Sequence, residues 1–273
     1  MKKGINILSL PGHVKIEDAF SIVSRAGFDG IELYLDIDAK GTVKFTNSPD
    51  MDVDKVKALS EKYKLKVTGF VTDALWANPL TSCDPETRKR GQSAVKVLID
   101  YAEIFGADTI LVVPGSVSAD CPYDEAYDNA LESLKILAPY AESKKVAIGV
   151  ENVWNRFLLS PLEARDFIDK INSPYVGAYF DIGNVVVSGF PEQWIKILGK
   201  RIKKLHAKGF RGGYQNGAFV NLLEGDINWH RVTAALKAIG YNDYITAELN
   251  AYGEFPEELA KETSAAFDAI NRL

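Results

Sequence analysis

The sequence contains few of the residues from which disulfide-rich and polyanion-binding proteins are built. Among 273 residues there are two cysteines, Cys83 and Cys121, and acidic residues outnumber basic residues, 37 to 32. Two cysteines cannot build a disulfide framework and no CxxC pairing is present, so we predict two free thiols in a reducing cytoplasm. The net charge of −5 disfavours a nucleic-acid partner, because nucleic-acid-binding proteins usually carry a basic surplus.

Long apolar runs and a secretory leader are also missing. No apolar run approaches the roughly 20 residues that a membrane-spanning helix needs. The N-terminal stretch MKKGINILSL has two lysines, a short apolar run and no small-residue cleavage site, which is not typical of a signal peptide. We therefore expect a cytoplasmic protein that has no membrane partner.

Short apolar runs alternate with amphipathic stretches, and the composition, 47% hydrophobic and 25% charged, is that of a globular protein with a large core. The alternation predicts strands at 4–10, 30–35, 66–71, 109–115, 146–152, 176–183, 202–209 and 244–250. Helices are predicted at 16–28, 53–65, 84–107, 124–145, 161–171, 191–201, 228–241 and 257–273.

Strands that are separated by helices predict an α/β fold with a parallel sheet and right-handed crossovers. Eight strand–helix units in 273 residues favour a single (β/α)8 TIM barrel domain spanning residues 1–273. A doubly wound sheet is the alternative, but no G-x-G-x-x-G follows the first strand. The stretch RGGYQNGAFVNLLEG, at 211–225, is predicted to be irregular.

Acidic and imidazole side chains fall at the ends of four predicted strands. Active sites of (β/α)8 barrels lie at the C-terminal ends of the strands, and side chains alternate between the two faces of a strand. In the strand at 146–152 the large apolar residues take the outer face, so that Glu151 points inward. The same alternation points three further residues inward near the top of the barrel: Asp181, His206 and Glu248.

These four side chains predict a site for a divalent cation. A lone strand-end glutamate is more often salt-bridged, and a lone histidine is usually structural. Four such residues with matching orientation on neighbouring strands favour a metal site instead. Three carboxylates and one neutral imidazole form a hard oxygen and nitrogen donor set, which favours Mn²⁺, Mg²⁺ or Co²⁺ over a thiolate-type zinc site.

The chain resembles the xylose-isomerase-like TIM barrel superfamily, and within it the sugar and sugar-phosphate isomerases and epimerases. The most similar branch is the L-ribulose-5-phosphate 3-epimerase and hexulose-6-phosphate isomerase branch, and the tagatose and psicose 3-epimerases are more distant. The resemblance covers nearly the whole chain and rests on seven stretches in order: GFDGIEL (27–33), GADTILVVPG (106–115), VENVWNRFLLSP (150–161), YFDIGN (179–184), LHAKGF (205–210), LLEGDINW (222–229) and TAELN (246–250).

The resemblance implies a set of functional residues. The metal ligands of the family fall on Glu151, Asp181, His206 and Glu248, and its two catalytic carboxylates fall on Glu151 and Glu248. It implies a cofactor that is a divalent metal, with Mn²⁺ first and Mg²⁺, Co²⁺ or Zn²⁺ as alternatives. It also implies a small-molecule sugar or sugar-phosphate substrate, and a homodimer or homotetramer.

The sequence departs from the tagatose and psicose branch at three places. Phe157 and Leu158 lie where that branch has a second glutamate, and Asn184 lies where it has a histidine three residues after the aspartate ligand. Many relatives read H-x-K-D after the seventh strand, whereas this chain has Gly209 in the last position. These changes leave the metal and the proton chemistry in place, and the identity of the sugar open.

We expect inversion at C3 of a ketose or ketose phosphate through an enediolate that a metal stabilises. One glutamate would remove the proton from C3 and the other would return a proton to it. Trp76 is a candidate cover for the apolar face of the sugar, or a packing residue. Glu32 points inward on the second strand, with a structural role as the alternative. The RGGYQNG stretch is a candidate phosphate-binding loop or a flexible lid. The candidate substrate-binding residues are Arg211, Lys208, Trp76, Asn184 and His13.

Other functions remain open at this point. Aldose–ketose isomerisation would use the same metal and move a proton between C1 and C2. An inosose-type dehydratase and a non-catalytic sugar-binding barrel are further alternatives. An endonuclease IV-type hydrolase needs about three metals and many more histidine ligands than the three histidines of this chain.

Overall fold

Eleven strands are present in the computed structural model, which describes residues 1–273. They are β1 (Lys2–Asn6), β2 (Gly30–Ile37), β3 (Val43–Phe45), β4 (Lys66–Val71), β5 (Thr109–Val112), β6 (Ala147–Glu151), β7 (Val176–Asp181), β8 (Ile202–Ala207), β9 (Gly209–Arg211), β10 (Ala218–Val220) and β11 (Tyr244–Ala247).

The eight longer parallel strands follow one another around a barrel. Hydrogen-bonded ladders join β5, β6, β7, β8, β11, β1, β2 and β4 in that order. The ring closes where β4 meets β5, because a Cβ atom on Gly69 would lie only 3.0 Å from the carbonyl oxygen of Thr109. The predicted (β/α)8 barrel is therefore confirmed, and the doubly wound alternative is wrong. The single-domain assignment stays a prediction.

Nine helices accompany the strands. They are α1 (Ile16–Arg25), α2 (Val53–Tyr63), α3 (Ala74–Ala77), α4 (Pro85–Phe105), α5 (Tyr123–Lys144), α6 (Pro161–Ile171), α7 (Pro191–Leu198), α8 (Trp229–Ile239) and α9 (Pro256–Asn271). Local chemistry sets several of their ends. Asp84 caps α4 by accepting hydrogen bonds from the N–H groups of Glu86 and Thr87, and Gly106 ends it with φ of 66°. No helix combines the length and the apolarity that crossing a membrane would require.

The register of the strands brings the C-terminal ends of β6, β7 and β8 to one level. Asp181 of β7 is paired with His206 of β8, and His206 is paired in turn with Thr246 of β11. Glu151 is paired with Tyr179 across the β6–β7 ladder. Residues that are far apart in sequence therefore share the mouth of the barrel.

The first predicted strand ends earlier than expected. The strand stops at Asn6, and a 3₁₀ turn occupies Ile7–Ser9. The Asn6 side chain accepts a hydrogen bond from the N–H of Leu8 at 2.8 Å, which turns the backbone although the residues that follow are apolar.

The prediction of an irregular stretch at 211–225 is wrong in part. β9 and β10 form an antiparallel hairpin, which we call the rim hairpin, residues 209–220. Gly209 allows its arms to approach, because a Cβ there would lie 2.9 Å from the carbonyl oxygen of Val220 on the opposite arm. Strands of three residues are too short to produce a recognisable alternation in the sequence.

The two cysteines are not free thiols, contrary to our expectation. Cys83 and Cys121 form a disulfide, with their Cα atoms 5.7 Å apart. Cys83 precedes α4 and Cys121 precedes α5, so both belong to loops that follow neighbouring barrel strands. A separation of 38 residues gave no sign of this proximity. The cytoplasmic location stays a prediction.

We predict that the disulfide contributes substantially to stability. The double variant Cys83→Ser/Cys121→Ser should lose about 4 kcal/mol of unfolding free energy, because closing a loop of this length restricts the unfolded chain. Denaturant unfolding with and without a reductant measures it. Reductant should destabilise the wild type and leave the double variant unchanged. Detection of two reactive thiols in unfolded protein that has not been treated with a reductant would contradict the disulfide.

Candidate active site

The four predicted inward residues meet at the mouth of the barrel. Glu151 and Asp181 are the last residues of β6 and β7, His206 lies in β8, and Glu248 directly follows β11. One potential ligand atom of each lies within 4.8 Å of those of the others. Asp181 and His206 are fully buried and Glu151 is buried, whereas the Glu248 side chain is 29% exposed. We call these residues the acid cluster.

His206 lies between carboxylates on both sides of its ring. Its Nδ1 atom is 3.1 Å from Oε1 of Glu151 and 3.6 Å from Oε2 of Glu248. Its Nε2 atom is 2.8 Å from Oε2 of Glu32, which lies on β2. One nitrogen therefore faces the acid cluster, and the other faces away from it.

Lys208 supplies a second positive charge. Its ammonium nitrogen lies 2.9 Å from Oδ2 of Asp181 and 2.5 Å from Oε2 of Glu248. The side chain is 13% exposed, so the ammonium is largely removed from water. Three carboxylates at this depth need compensation, and in the protein alone His206 and Lys208 provide it.

Burial and charge shift the protonation equilibria of the cluster. Burial, with a smaller contribution from the charge of Glu248, raises the pKa of Glu151 to about 7, although the hydrogen bond with His206 acts in the opposite direction. Burial lowers the pKa of His206, but the charges of Glu32 and Glu248 outweigh it, so that this pKa lies well above its ordinary value. Glu151 and His206 therefore each hold a proton more tightly than an exposed glutamate or histidine would.

The acid cluster fits a divalent cation. It offers three carboxylates and one imidazole nitrogen, a donor set suited to hard divalent ions. Oδ2 of Asp181 is buried, and the Lys208 ammonium nitrogen lies 2.9 Å from it as an ion-pair partner. A divalent cation would add positive charge beside the same three carboxylates.

Two asparagines hold the Asp181 backbone and side chain in place. Asn152 bridges to β7, since its side chain donates to the carbonyl of Asp181 and accepts from the Asp181 N–H, both at 2.9 Å. The N–H of Asn184 donates to Oδ1 of Asp181 at 2.7 Å, and its amide donates to the carbonyl of Asn152 at 2.9 Å. Asn184 is a predicted substrate contact, but in this structure its side-chain amide is hydrogen-bonded to the backbone of Asn152.

The remaining predicted substrate residues lie apart from the acid cluster. Arg211, at the end of β9, donates through Nε to the carbonyl of Glu224 at 2.8 Å. Trp76, on α3, is 49% exposed. His13 is exposed on the loop after β1. No hydrogen bond or ion pair joins any of the three to the cluster.

Two cavities open near the cluster. A cavity of about 150 Å³ is lined by Lys208 and Glu248 together with Phe219, Val220, Leu249 and Asn250. A larger cavity, of about 510 Å³, has a mainly apolar lining that includes Phe157, Leu158 and Asn184. The smaller cavity reaches Glu248 of the acid cluster. The larger one is lined by Phe157, Leu158 and Asn184, which are residues at which the chain departs from the tagatose and psicose branch.

An aromatic group that sequence reasoning did not identify ties the rim hairpin to the barrel. Trp154 contacts Phe210 and Phe219, with ring centroids 5.6 Å and 4.9 Å apart. Its indole N–H donates to the carbonyl of Asn184 at 2.8 Å. The Phe219 ring centroid lies 5.1 Å from the Lys208 ammonium nitrogen. In the sequence, Trp154 lies three residues after Glu151, and no local pattern indicates its contacts with the hairpin.

The chain belongs to the xylose isomerase-like TIM barrel family, whose model matches residues 20–270. It is 24% identical to a fructoselysine 3-epimerase of Shigella flexneri, over 95% of each chain. It is also 24% identical to an L-ribulose-5-phosphate 3-epimerase of Salmonella paratyphi A, over 98% of this chain and 93% of that protein.

Solved structures share the fold. The D-psicose 3-epimerase of Clostridium cellulolyticum superposes with a TM-score of 0.78 at 18% identity, over 100% of this chain and 99% of that chain. The named relatives and this structural neighbour are sugar 3-epimerases, a kind of isomerase. The predicted resemblance to this superfamily is thus confirmed.

We predict that Lys208→Met destabilises the metal-free protein. Above neutral pH the unfolding free energy should fall by about 3–5 kcal/mol, because the substitution leaves buried carboxylates without their ammonium partner. The loss should shrink as pH falls, since protonated carboxylates no longer need that charge. Denaturant unfolding in the presence of a chelator measures it. Lys200→Met, at an exposed lysine before β8, is the control; equal effects of both substitutions would contradict the prediction.

Proposed function

We propose that the protein is a metal-dependent 3-epimerase of a ketose or ketose phosphate. The observation that carries the proposal is the acid cluster, in which two glutamates from non-adjacent strands, Glu151 and Glu248, share one buried centre with Asp181 and His206. The sugar 3-epimerases among the relatives support the reaction type.

The four residues of the acid cluster are the proposed ligands of the cation, with Mn²⁺ as the first choice and Mg²⁺, Co²⁺ or Zn²⁺ as alternatives. A bound divalent cation would act as a Lewis acid that lowers the free energy of an enediolate. Asp181 and His206 serve mainly to hold the ion, and their complete burial fixes them in place.

Glu151 and Glu248 are the proposed acid and base. One carboxylate removes the proton from C3, the electrons of the broken C–H bond form the C2–C3 double bond, and the carbonyl π electrons move onto O2. The other glutamate, as a carboxylic acid, then returns a proton to the opposite face of C3. Inversion requires two groups on opposite faces, and strands β7 and β8 lie between the strands from which these two come.

The other predicted residues are proposed substrate contacts. Lys208 lines the small cavity beside Glu248 and is suited to a sugar hydroxyl or a phosphate oxygen. To bind a substrate oxygen, Arg211 would have to give up its hydrogen bond to the carbonyl of Glu224. Trp76, His13 and Asn184 remain candidates on the same face of the barrel.

Aldose–ketose isomerisation is the alternative reaction at the same site. The acid cluster would suit it equally, because both reactions pass through an enediolate. The names of the curated relatives favour epimerisation. A cytoplasmic location and a homodimer or homotetramer stay predictions.

We predict metal-dependent hydrogen exchange at C3. NMR in D₂O, with Mn²⁺ and a panel of pentuloses, hexuloses and their phosphates, should show deuterium at C3 of at least one ketose. A chelator should abolish the exchange, and Mn²⁺ should restore it. Because Mn²⁺ broadens NMR lines, the sugars are separated from the protein and the metal before measurement. Exchange at C1 or C2 alone would indicate the isomerase, and no exchange would overturn the proposal.

We predict that Glu151→Gln and Glu248→Gln each lower the rate of epimerisation by roughly 10²–10⁴, the usual contribution of a positioned acid or base. Glu103→Gln, at an exposed glutamate of α4, is the control and should keep wild-type turnover. Metal content is measured for each variant, so that loss of the cation is distinguished from loss of proton transfer. More than a tenth of wild-type activity in either variant would defeat the two-base mechanism.

A further inference from the structure

Glu32 is a buried carboxylate that the proposed reaction does not use. It lies on β2, is 0% exposed, and is outside the acid cluster. Its Oε1 accepts a hydrogen bond from the Tyr179 hydroxyl at 2.5 Å. Its Oε2 accepts one from the Asn6 amide at 2.6 Å and lies 2.8 Å from Nε2 of His206. A buried carboxylate needs such partners, and here one of them is the imidazole of the acid cluster.

The contact selects one of the two ring nitrogens. A neutral imidazole carries its proton on one nitrogen and a lone pair on the other. A carboxylate is an acceptor, so Glu32 stabilises the proton on Nε2. In the metal-free protein Glu151 and Glu248 face Nδ1 in the same way, at 3.1 Å and 3.6 Å. When a cation occupies the acid cluster, Nδ1 must offer its lone pair, and Glu32 still holds the proton on Nε2.

We infer that Glu32 is the positioning residue that fixes the tautomer and the orientation of His206, so that Nδ1 binds the cation. The inference rests on the proposed metal centre. Metal-bound histidines in proteins commonly donate their other N–H to a carboxylate, which orients the ring and strengthens it as a ligand.

The surroundings of Glu32 hold it rigidly for this task. The Tyr179 side chain, on β7, lies over Gly149 of β6, where a Cβ would be only 2.9 Å from the Cβ of Tyr179, so the glycine leaves room for the ring. The Tyr179 ring also packs edge-on against the His206 ring, with centroids 4.7 Å apart. Asn6 fixes the second oxygen from β1. Glu32 is therefore oriented by two other strands before it reaches His206.

The direct test is NMR of protein labelled with ¹⁵N in histidine, titrated with Cd²⁺ as a diamagnetic probe. The chain has three histidines, and His13 and His230 are exposed, so the His206 signals can be assigned by substitution of the other two. We expect Cd²⁺ to shift one imidazole, whose Nδ1 becomes coordinated and whose Nε2 keeps its proton. Coordination through Nε2 would overturn the inference while leaving the metal centre intact. No imidazole response would overturn the metal centre together with the inference.

The second test is substitution of Glu32. Glu32→Gln should weaken Cd²⁺ and Mn²⁺ binding by about 10–100-fold, the usual effect of losing such a partner. With Cd²⁺ bound, it should also broaden or split the His206 signals, because an amide no longer fixes which ring nitrogen keeps its proton. Wild-type affinity with an unchanged Nδ1 signature would overturn the inference.

A matched control and a milder variant complete the experiment. Glu192→Gln alters a glutamate that is 9% exposed and pairs with Arg231, and it should bind the cations as the wild type does. Tyr179→Phe keeps the Glu32 carboxylate but removes one of its donors, so it should weaken binding less than Glu32→Gln. If Glu32→Gln does not fold, unchanged cation affinity in Tyr179→Phe together with Nε2 coordination in the wild type would defeat the inference.

Discussion

The concentration of negative charge at the mouth of the barrel is the constraint on which the rest of the site depends. Three carboxylates lie within one cluster, and each is costly to bury unless a positive charge or a strong donor meets it. His206 and Lys208 lie where they are because of that demand. A divalent cation would meet it more completely, since it would place two further positive charges among the three carboxylates.

The geometry of parallel strands produces this concentration of negative charge from only a few residues. Each strand needs only one polar residue at its C-terminal end with the right orientation, and the register of β6, β7, β8 and β11 brings those ends to one level. The loops beyond the strands then shape the two cavities. The proton chemistry thus depends on the strands, and the choice of sugar depends on the loops.

The acid cluster could be predicted because alternation along a strand is a strong local signal, and it oriented Glu151, Asp181 and Glu248 without any knowledge of contacts. The features that were missed depend on distant partners. The Cys83–Cys121 bond joins two loops that only the closed barrel brings together. Glu32 was recognised as inward-facing, but its contact with His206 spans 174 residues and has no local signature. Strands of three residues, as in the rim hairpin, are below the length at which alternation is recognisable.

The rim hairpin is coupled mechanically to the charge of the site. Phe219 presents its ring to the Lys208 ammonium, and Trp154 clamps Phe219 while its indole is tied to Asn184. Phe219 also lines the small cavity that reaches Glu248. One side chain of the rim hairpin therefore forms part of the wall of that cavity and part of the surroundings of its ammonium, so the shape and the charge of the entrance share a single support.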